Sequence, residues 1–295
     1  MGTALAILPD FALILVGLAL ARAFGYGREF WTGLEKLVYY VLFPALLLRS
    51  LATARIDLAA AGVLVGSAIA FTAAAFALSL AAGPVLGLER KLLAAGSQCG
   101  YRFNMYVGLA LAGSLYGAPG IALAALLLGA LIPLVNLAAV AVLAREGERG
   151  MLHELTRHPL VLACLAGFAL NALGWKLPPF VDHGLELLGQ ASLATGLLCV
   201  GAAMRFEAAS GEWLAHAWWL TVKLAVAPTL AWLLARELGI GGMEARVLLL
   251  CAALPTATSA YILAAQMGGD ARAVATQVTV GTLLAMVTLP SWLSV

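Results

Sequence analysis

GSQCGYRFNMYVG (Gly96–Gly108) and LPTATSAY (Leu254–Tyr261) each interrupt an apolar stretch long enough to cross a bilayer. The first places glycines, Arg102 and Asn104 where a lipid-facing helix should continue. The second places Pro255 there, which removes a backbone donor, with the hydroxyls of Thr256, Thr258, Ser259 and Tyr261 close by. Aligning Arg90 with Arg246 sets Cys99–Asn104 opposite Pro255–Ala260, so the two interruptions take corresponding places. Matched interruptions in two halves of a membrane protein point to a transport site. Unwound backbone at that depth must face protein or water, and the half-helix after each break offers N–H groups and a positive dipole end to an anion. The plainer reading stays open: Pro255 as a kink, and Gly96, Gly100 and Gly108 as close-packing positions.

Composition sets the surroundings of these two stretches. Hydrophobic residues make up 63% of 295 and charged residues 11%, against about 25% charged in a soluble domain. A water-soluble fold is excluded, and the lipid bilayer is the first partner. Apolar windows predict spans near 9–24, 35–52, 58–86, 91–116, 119–144, 159–175, 185–204, 213–235, 245–268 and 271–294. Alternating strands of a barrel are absent, so the expected class is all-α. The first span lacks a basic leader and a cleavage site and is read as retained. A net charge of +2 with no basic run argues against nucleic acid. Cys99, Cys164, Cys199 and Cys251 form no pair or metal cluster and read as small buried hydrophobes.

The hydrophilic segment REGERGMLHELTRH (Arg145–His158) falls at the midpoint. It predicts a first five-helix repeat over 1–144, a cytoplasmic connector over 145–158 and an inverted second repeat over 159–295. Shifting by 150 superposes Pro9, Leu15, Gly17, Ala19 and Leu20 on Pro159, Leu165, Gly167, Ala169 and Leu170. Arg22, Arg28, Lys36, Arg90, Lys91, Arg145, Arg149, Arg157, Arg205 and Arg272 collect on one side. Arg49, Arg55, Lys176, Arg236 and Arg246 collect on the other. The richer side is cytoplasmic by the positive-inside rule, which places both termini outside the plasma (inner) membrane of a bacterium.

Two cations remain inside spans, Arg102 and Lys223. An intramembrane arginine needs a cavity or a partner. Arg102 can pair with a substrate carboxylate or offset the carbonyl end of a half-helix. Lys223 can cap carbonyl ends at the crossing, or take part in substrate contact or proton exchange. Asn104 can hold a carboxylate or an exposed carbonyl. The candidate binding set is Arg102, Asn104, Met105, Pro255, Thr256, Thr258 and Ser259. Gly100, Tyr101, Lys223, Asn136, Gln277 and Pro44 are candidate supports. No acidic residue is expected in the core of a span, and His153, His158, His183 and His216 fall in loops or near span ends. No HExxH, GxSxG or Walker loop occurs, which disfavours an intramembrane enzyme or an ATP-driven pump.

YRFNMYVGLALAGSLYG (Tyr101–Gly117), HPLVLACLAGFALNALGWKLP (His158–Pro178), LGQASLATGLLCVGAAM and ALPTATSAYILAAQMGGD followed by TVGTLLAMVTLP resemble, in succession, the bacterial branch of the auxin efflux carrier family. The resemblance implies ten helices in two inverted five-helix repeats, as in bile acid and sodium/proton carriers, with broken helices four and nine crossing. It implies a scaffold of helices 1, 2, 6 and 7 and a transport domain of helices 3–5 and 8–10. It also implies a carboxylate substrate, and carries over the crossover asparagine as Asn104 and the crossover proline as Pro255. Tyr101–Met105 departs from the proline-bearing motif of the plant carriers, and Arg102 favours a small mono- or dicarboxylate such as malate or malonate over auxin. No cofactor is expected, coupling to protons or sodium is left open, and a homodimer is allowed. The competing functions are a cation/proton antiporter with Lys223 as titrating group and a ligand-binding membrane sensor.

Overall fold

Hydrocarbon offers the backbone no hydrogen-bond partner, so an apolar chain must close its N–H and C=O groups within helices. In the computed structural model, which describes residues 2–54, 58–143, 159–205 and 212–295, helix is the only regular structure among the described residues. The helices are α1 (Gly2–Ala23), α2 (Arg28–Leu37), α3 (Phe43–Ala52), α4 (Leu58–Leu86), α5 (Arg90–Tyr101) and α6 (Met105–Leu143). They continue as α7 (Pro159–Ala172), α8 (Pro179–Ala203), α9 (Trp213–Thr221), α10 (Ala227–Glu237), α11 (Gly242–Ala253), α12 (Ser259–Gln266) and α13 (Ala271–Trp292). Six helical runs among them are long and apolar enough to span a membrane: Leu5–Ala23, Ala61–Leu86, Arg90–Leu143, Pro179–Ala203, Trp213–Glu237 and Ala271–Trp292. The protein is a multi-pass membrane protein. The segments expected as spans two, six and nine are helical but outside these six; α7 is 14 residues long and the ninth is divided between α11 and α12. The expected connector 145–158 and Arg55 lie outside the described residues.

Local chemistry accounts for the irregular places. Wide π-helical turns at Val38–Leu42 and Val222–Val226 precede Pro44 and Pro228. A proline strips the carbonyl four residues before it of its donor, and at Leu224 the indole N–H of Trp292 replaces it at 2.9 Å. Within α6 the chain turns at Gly117, whose φ of 62° and ψ of −154° belong to a region glycine alone enters freely. The turn separates 105–116 from 118–143.

The chain groups into two compact units. One comprises 1–61, 106–130 and 150–203. Here α1 and α8 approach at backbone distance: a Cβ on Gly201 would overlap the Ile14 carbonyl, and one on Gly17 the backbone of Leu198. Small residues permit that approach, which is the packing use of the glycines in α8. The α3 segment is tied at its end by Asn171, whose amide donates to the carbonyls of Leu51, Ala52 and Ala54 at 2.9, 3.2 and 2.7 Å. Arg49 forks onto Asp182 at 2.8 and 3.1 Å.

The other unit comprises 62–105, 131–149 and 204–295. One core cluster gathers Ala95, Cys99, Leu143, Ala260, Ala264, Val274 and Val278, and another Ala82, Leu92, Ala215, Trp219 and Ala273. Gly96 faces the Trp219 ring, and a Cβ on Gly100 would collide with the Ser79 hydroxyl. All four cysteines are buried and unbonded to one another.

Candidate functional site

Both breaks, 102–104 and 254–258, belong to the second unit, and both interrupt helix inside the stretches singled out in the sequence. α5 and α11 each run 12 residues and then stop. Arg102–Asn104 separates α5 from α6, and Leu254–Thr258 separates α11 from α12. Equal half-helices starting at Arg90 and Gly242 set the correspondence at 152 residues rather than the 156 given by pairing Arg90 with Arg246.

The breaks meet through their backbones. The Asn104 N–H donates to the Pro255 carbonyl at 2.8 Å. The Thr256 hydroxyl donates to the carbonyl of Cys99, in the last turn of α5, at 2.7 Å. Each broken helix thus supplies groups that the other lacks, and orphaned backbone at membrane depth finds protein partners.

Cations complete the arrangement. Arg102, 5% exposed, donates to Gln98 Oε1 at 2.7 Å, Asn136 Oδ1 at 2.9 Å and Ser259 Oγ at 3.0 Å. Its fork therefore joins α5, α6 and α12, and a direct bidentate grip on a carboxylate requires one of these bonds to be released. Lys223, 2% exposed, leaves the π turn after α9 and donates to the Ala252 carbonyl at 3.1 Å, in the last turn of α11. Helix C-termini carry partial negative charge, and an ammonium there is favourable. Among the described residues neither cation has an ion-pair partner.

Of the expected residues, the structure brings Gly100, Tyr101, Arg102, Asn104, Met105, Asn136, Lys223, Pro255, Thr256, Thr258 and Ser259 to one region of this unit. Asn104, Met105, Pro255 and Thr256 are buried, while Thr258 is half-buried and Ser259 exposed. Tyr101 packs edge-on against Phe76 at 5.1 Å. Gln277 is placed elsewhere: on α13, its amide donates to the His216 carbonyl at 2.9 Å. Pro44 belongs to the first unit. Gln98 was missed, although it stands one helical turn before Arg102 inside the quoted stretch, where an (i, i+4) pair meets.

Two comparisons with known proteins bear on this arrangement. The family model described as membrane transport protein matches residues 146–293. The chain is also 24% identical over 306 residues to a protein of Rhizobium meliloti (strain 1021) named "Putative malonate transporter", covering 96% of this chain and 92% of that one.

Proposed function

This chain belongs to the membrane transport protein family, that of the auxin efflux carriers, and from that premise we propose that it carries a small organic anion across the membrane by alternating access. Membership makes it a membrane transporter of a small molecule and not an enzyme. The anion is a mono- or dicarboxylate of the malate or malonate type, moved by secondary active or facilitative transport.

The observation that carries this reading is the pair of buried cations, Arg102 and Lys223, at two broken helices with no carboxylate partner among the described residues. A buried guanidinium and a buried amine with no acidic partner among the described residues favour a ligand that brings negative charge. Asn104 and the accessible hydroxyls of Thr258 and Ser259 supply the neutral hydrogen bonds that orient a carboxylate. The name of the Rhizobium meliloti relative supports a malonate-like substrate.

The wider arrangement belongs to the same proposal: ten spans as two inverted five-helix repeats, both termini outside a bacterial plasma membrane, and a homodimer as a permitted assembly. Spans 1, 2, 6 and 7 form the scaffold, and the transport domain rocks against it. The two compact units support part of that division, since spans 1, 2, 6 and 7 fall in one and the breaks in the other, while 106–130 of spans 4 and 5 group with the former.

Counterflow of radiolabelled malonate into proteoliposomes, competed by a panel of carboxylates, tests the reading. Asn104→Ala should abolish exchange while the yield of folded protein holds. Normal exchange by that variant overturns the assignment of the breaks as the binding site.

A further inference from the structure

Asp10 is a carboxylate inside the apolar run AILPDFALILVG, the ninth residue of α1 and about 12 Å of helix beyond its first. It is 8% exposed. The Ser114 hydroxyl donates to its Oδ1 at 3.1 Å, and Oδ2 has no partner among the described residues. No ion pair reaches it among those residues. Both Asp10 and Ser114 belong to the first unit.

An ionised carboxylate in a span, with one neutral hydrogen bond and no counter-charge, is costly, and a carboxyl that holds its proton avoids that cost. A hard metal cation takes six or more oxygen ligands, whereas a proton takes one. Among the described residues no cluster of three or more His, Cys, Asp or Glu exists to hold a metal. We propose that Asp10 is a proton-binding site that couples proton movement to transport of the carboxylate. This rests on the reading of the protein as a carboxylate carrier.

The surrounding groups leave the titration to Asp10. On α8, laid along α1, the titratable side chains are Asp182, His183, Glu186 and Cys199, of which Asp182 and Glu186 are paired with Arg49. The α6 residues 106–130 hold Tyr106 and Tyr116 and no Asp, Glu, Lys, Arg or His. On α1 itself Arg22 stands about 18 Å further along the axis. Ser114 lies on α6, nine residues after Met105 and three before the turn at Gly117. Its hydroxyl stabilises the charged form of Asp10. Displacement of that helix segment removes the bond and draws a proton onto the carboxylate, and its return releases the proton. A proton moving with the anion cancels one of its charges.

Purified protein in proteoliposomes is treated with dicyclohexylcarbodiimide, which attacks protonated carboxyls in apolar surroundings, and the adduct is mapped by mass spectrometry across a pH series. Labelling of Asp10 should rise as pH falls, and Ser114→Ala should carry it to higher pH, because the ionised form loses its donor. Wild-type vesicles should accumulate labelled malonate when the outside is acidified. Asp10→Asn should still exchange labelled for unlabelled malonate, with the stimulation by the pH gradient reduced to about onefold. No adduct on Asp10 at any pH overturns the proposal, as does gradient-driven accumulation by Asp10→Asn equal to wild type. If Asp10→Asn does not fold, an Asp10 labelling profile that Ser114→Ala leaves in place overturns it instead. Wild-type protein that exchanges no carboxylate overturns the carrier reading and the coupling with it, whereas exchange without an Asp10 adduct overturns the coupling alone.

Discussion

The break at 102–104 has no proline and holds a cation of its own, whereas the break at 254–258 contains Pro255 and borrows its cation from the π turn at 222–226. The Arg102 guanidinium donates to three side chains, Gln98, Asn136 and Ser259. Lys223 binds one backbone carbonyl, Ala252. The first break is therefore fixed by a side-chain network and the second by covalent constraint plus a single cap. Loss of the cation should be felt very differently at the two places.

The largest effect is expected at the first break. Arg102→Gln leaves the buried Gln98 Oε1 without its donor, at about 1–3 kcal/mol, and takes a donor from the half-buried Asn136 and the exposed Ser259 at smaller cost. It also removes one of the two charges that attract the substrate. Malonate exchange should fall by about 100-fold, the equivalent of roughly 3 kcal/mol, and the melting temperature should drop. Arg102→Lys keeps the charge but cannot reach three acceptors with a planar fork, so it should recover exchange only in part. Full exchange by Arg102→Gln breaks the comparison, because the network would then be mere packing.

A smaller effect is expected at the second break. Lys223→Met keeps the side-chain volume, removes the cap from the Ala252 carbonyl and deletes the other charge. Pro255 and the Thr256–Cys99 bond still hold the interruption open. Exchange should fall by about tenfold, roughly 1.4 kcal/mol, mainly through a higher KM. Competition by a dicarboxylate should weaken more than competition by a monocarboxylate. A loss greater than that of Arg102→Gln would reverse the order of the two breaks and make the borrowed cation the principal counter-charge.

How much of this was legible follows the same division. Proline and glycine write their effect into the local chain, so the break at Pro255 and the one beginning after Tyr101 could be read from residue order alone. Arg102 and Lys223 stood out because charge is rare in hydrocarbon. What residue order could not show is which acceptors they reach, since Asn136 and Ser259 lie 34 and 157 positions from Arg102. Asp10 escaped for another reason. Starting the first span at residue 9 put it at a membrane edge, where an acidic residue is ordinary, while α1 begins at Gly2 and carries it inward. Gln277 was a candidate support of the crossing, and its amide instead bonds between helices, the commoner fate of an intramembrane amide, to His216.

Gln277 therefore serves as the boundary of the comparison and should show the smallest effect. Its amide N–H donates to the His216 carbonyl at 2.9 Å, while its Oε1 is buried without a partner among the described residues. Gln277→Leu removes the donated bond, which costs about 1 kcal/mol, and removes the unsatisfied oxygen, which returns a comparable amount. The two changes nearly cancel, and neither touches the network of Arg102 or the cap by Lys223. Malonate exchange should stay within about twofold of wild type, which corresponds to less than 0.5 kcal/mol, and the melting temperature should shift by no more than a few degrees. A collapse of exchange with the melting temperature intact would extend the substrate path to α13, so that the two breaks would no longer account for binding between them.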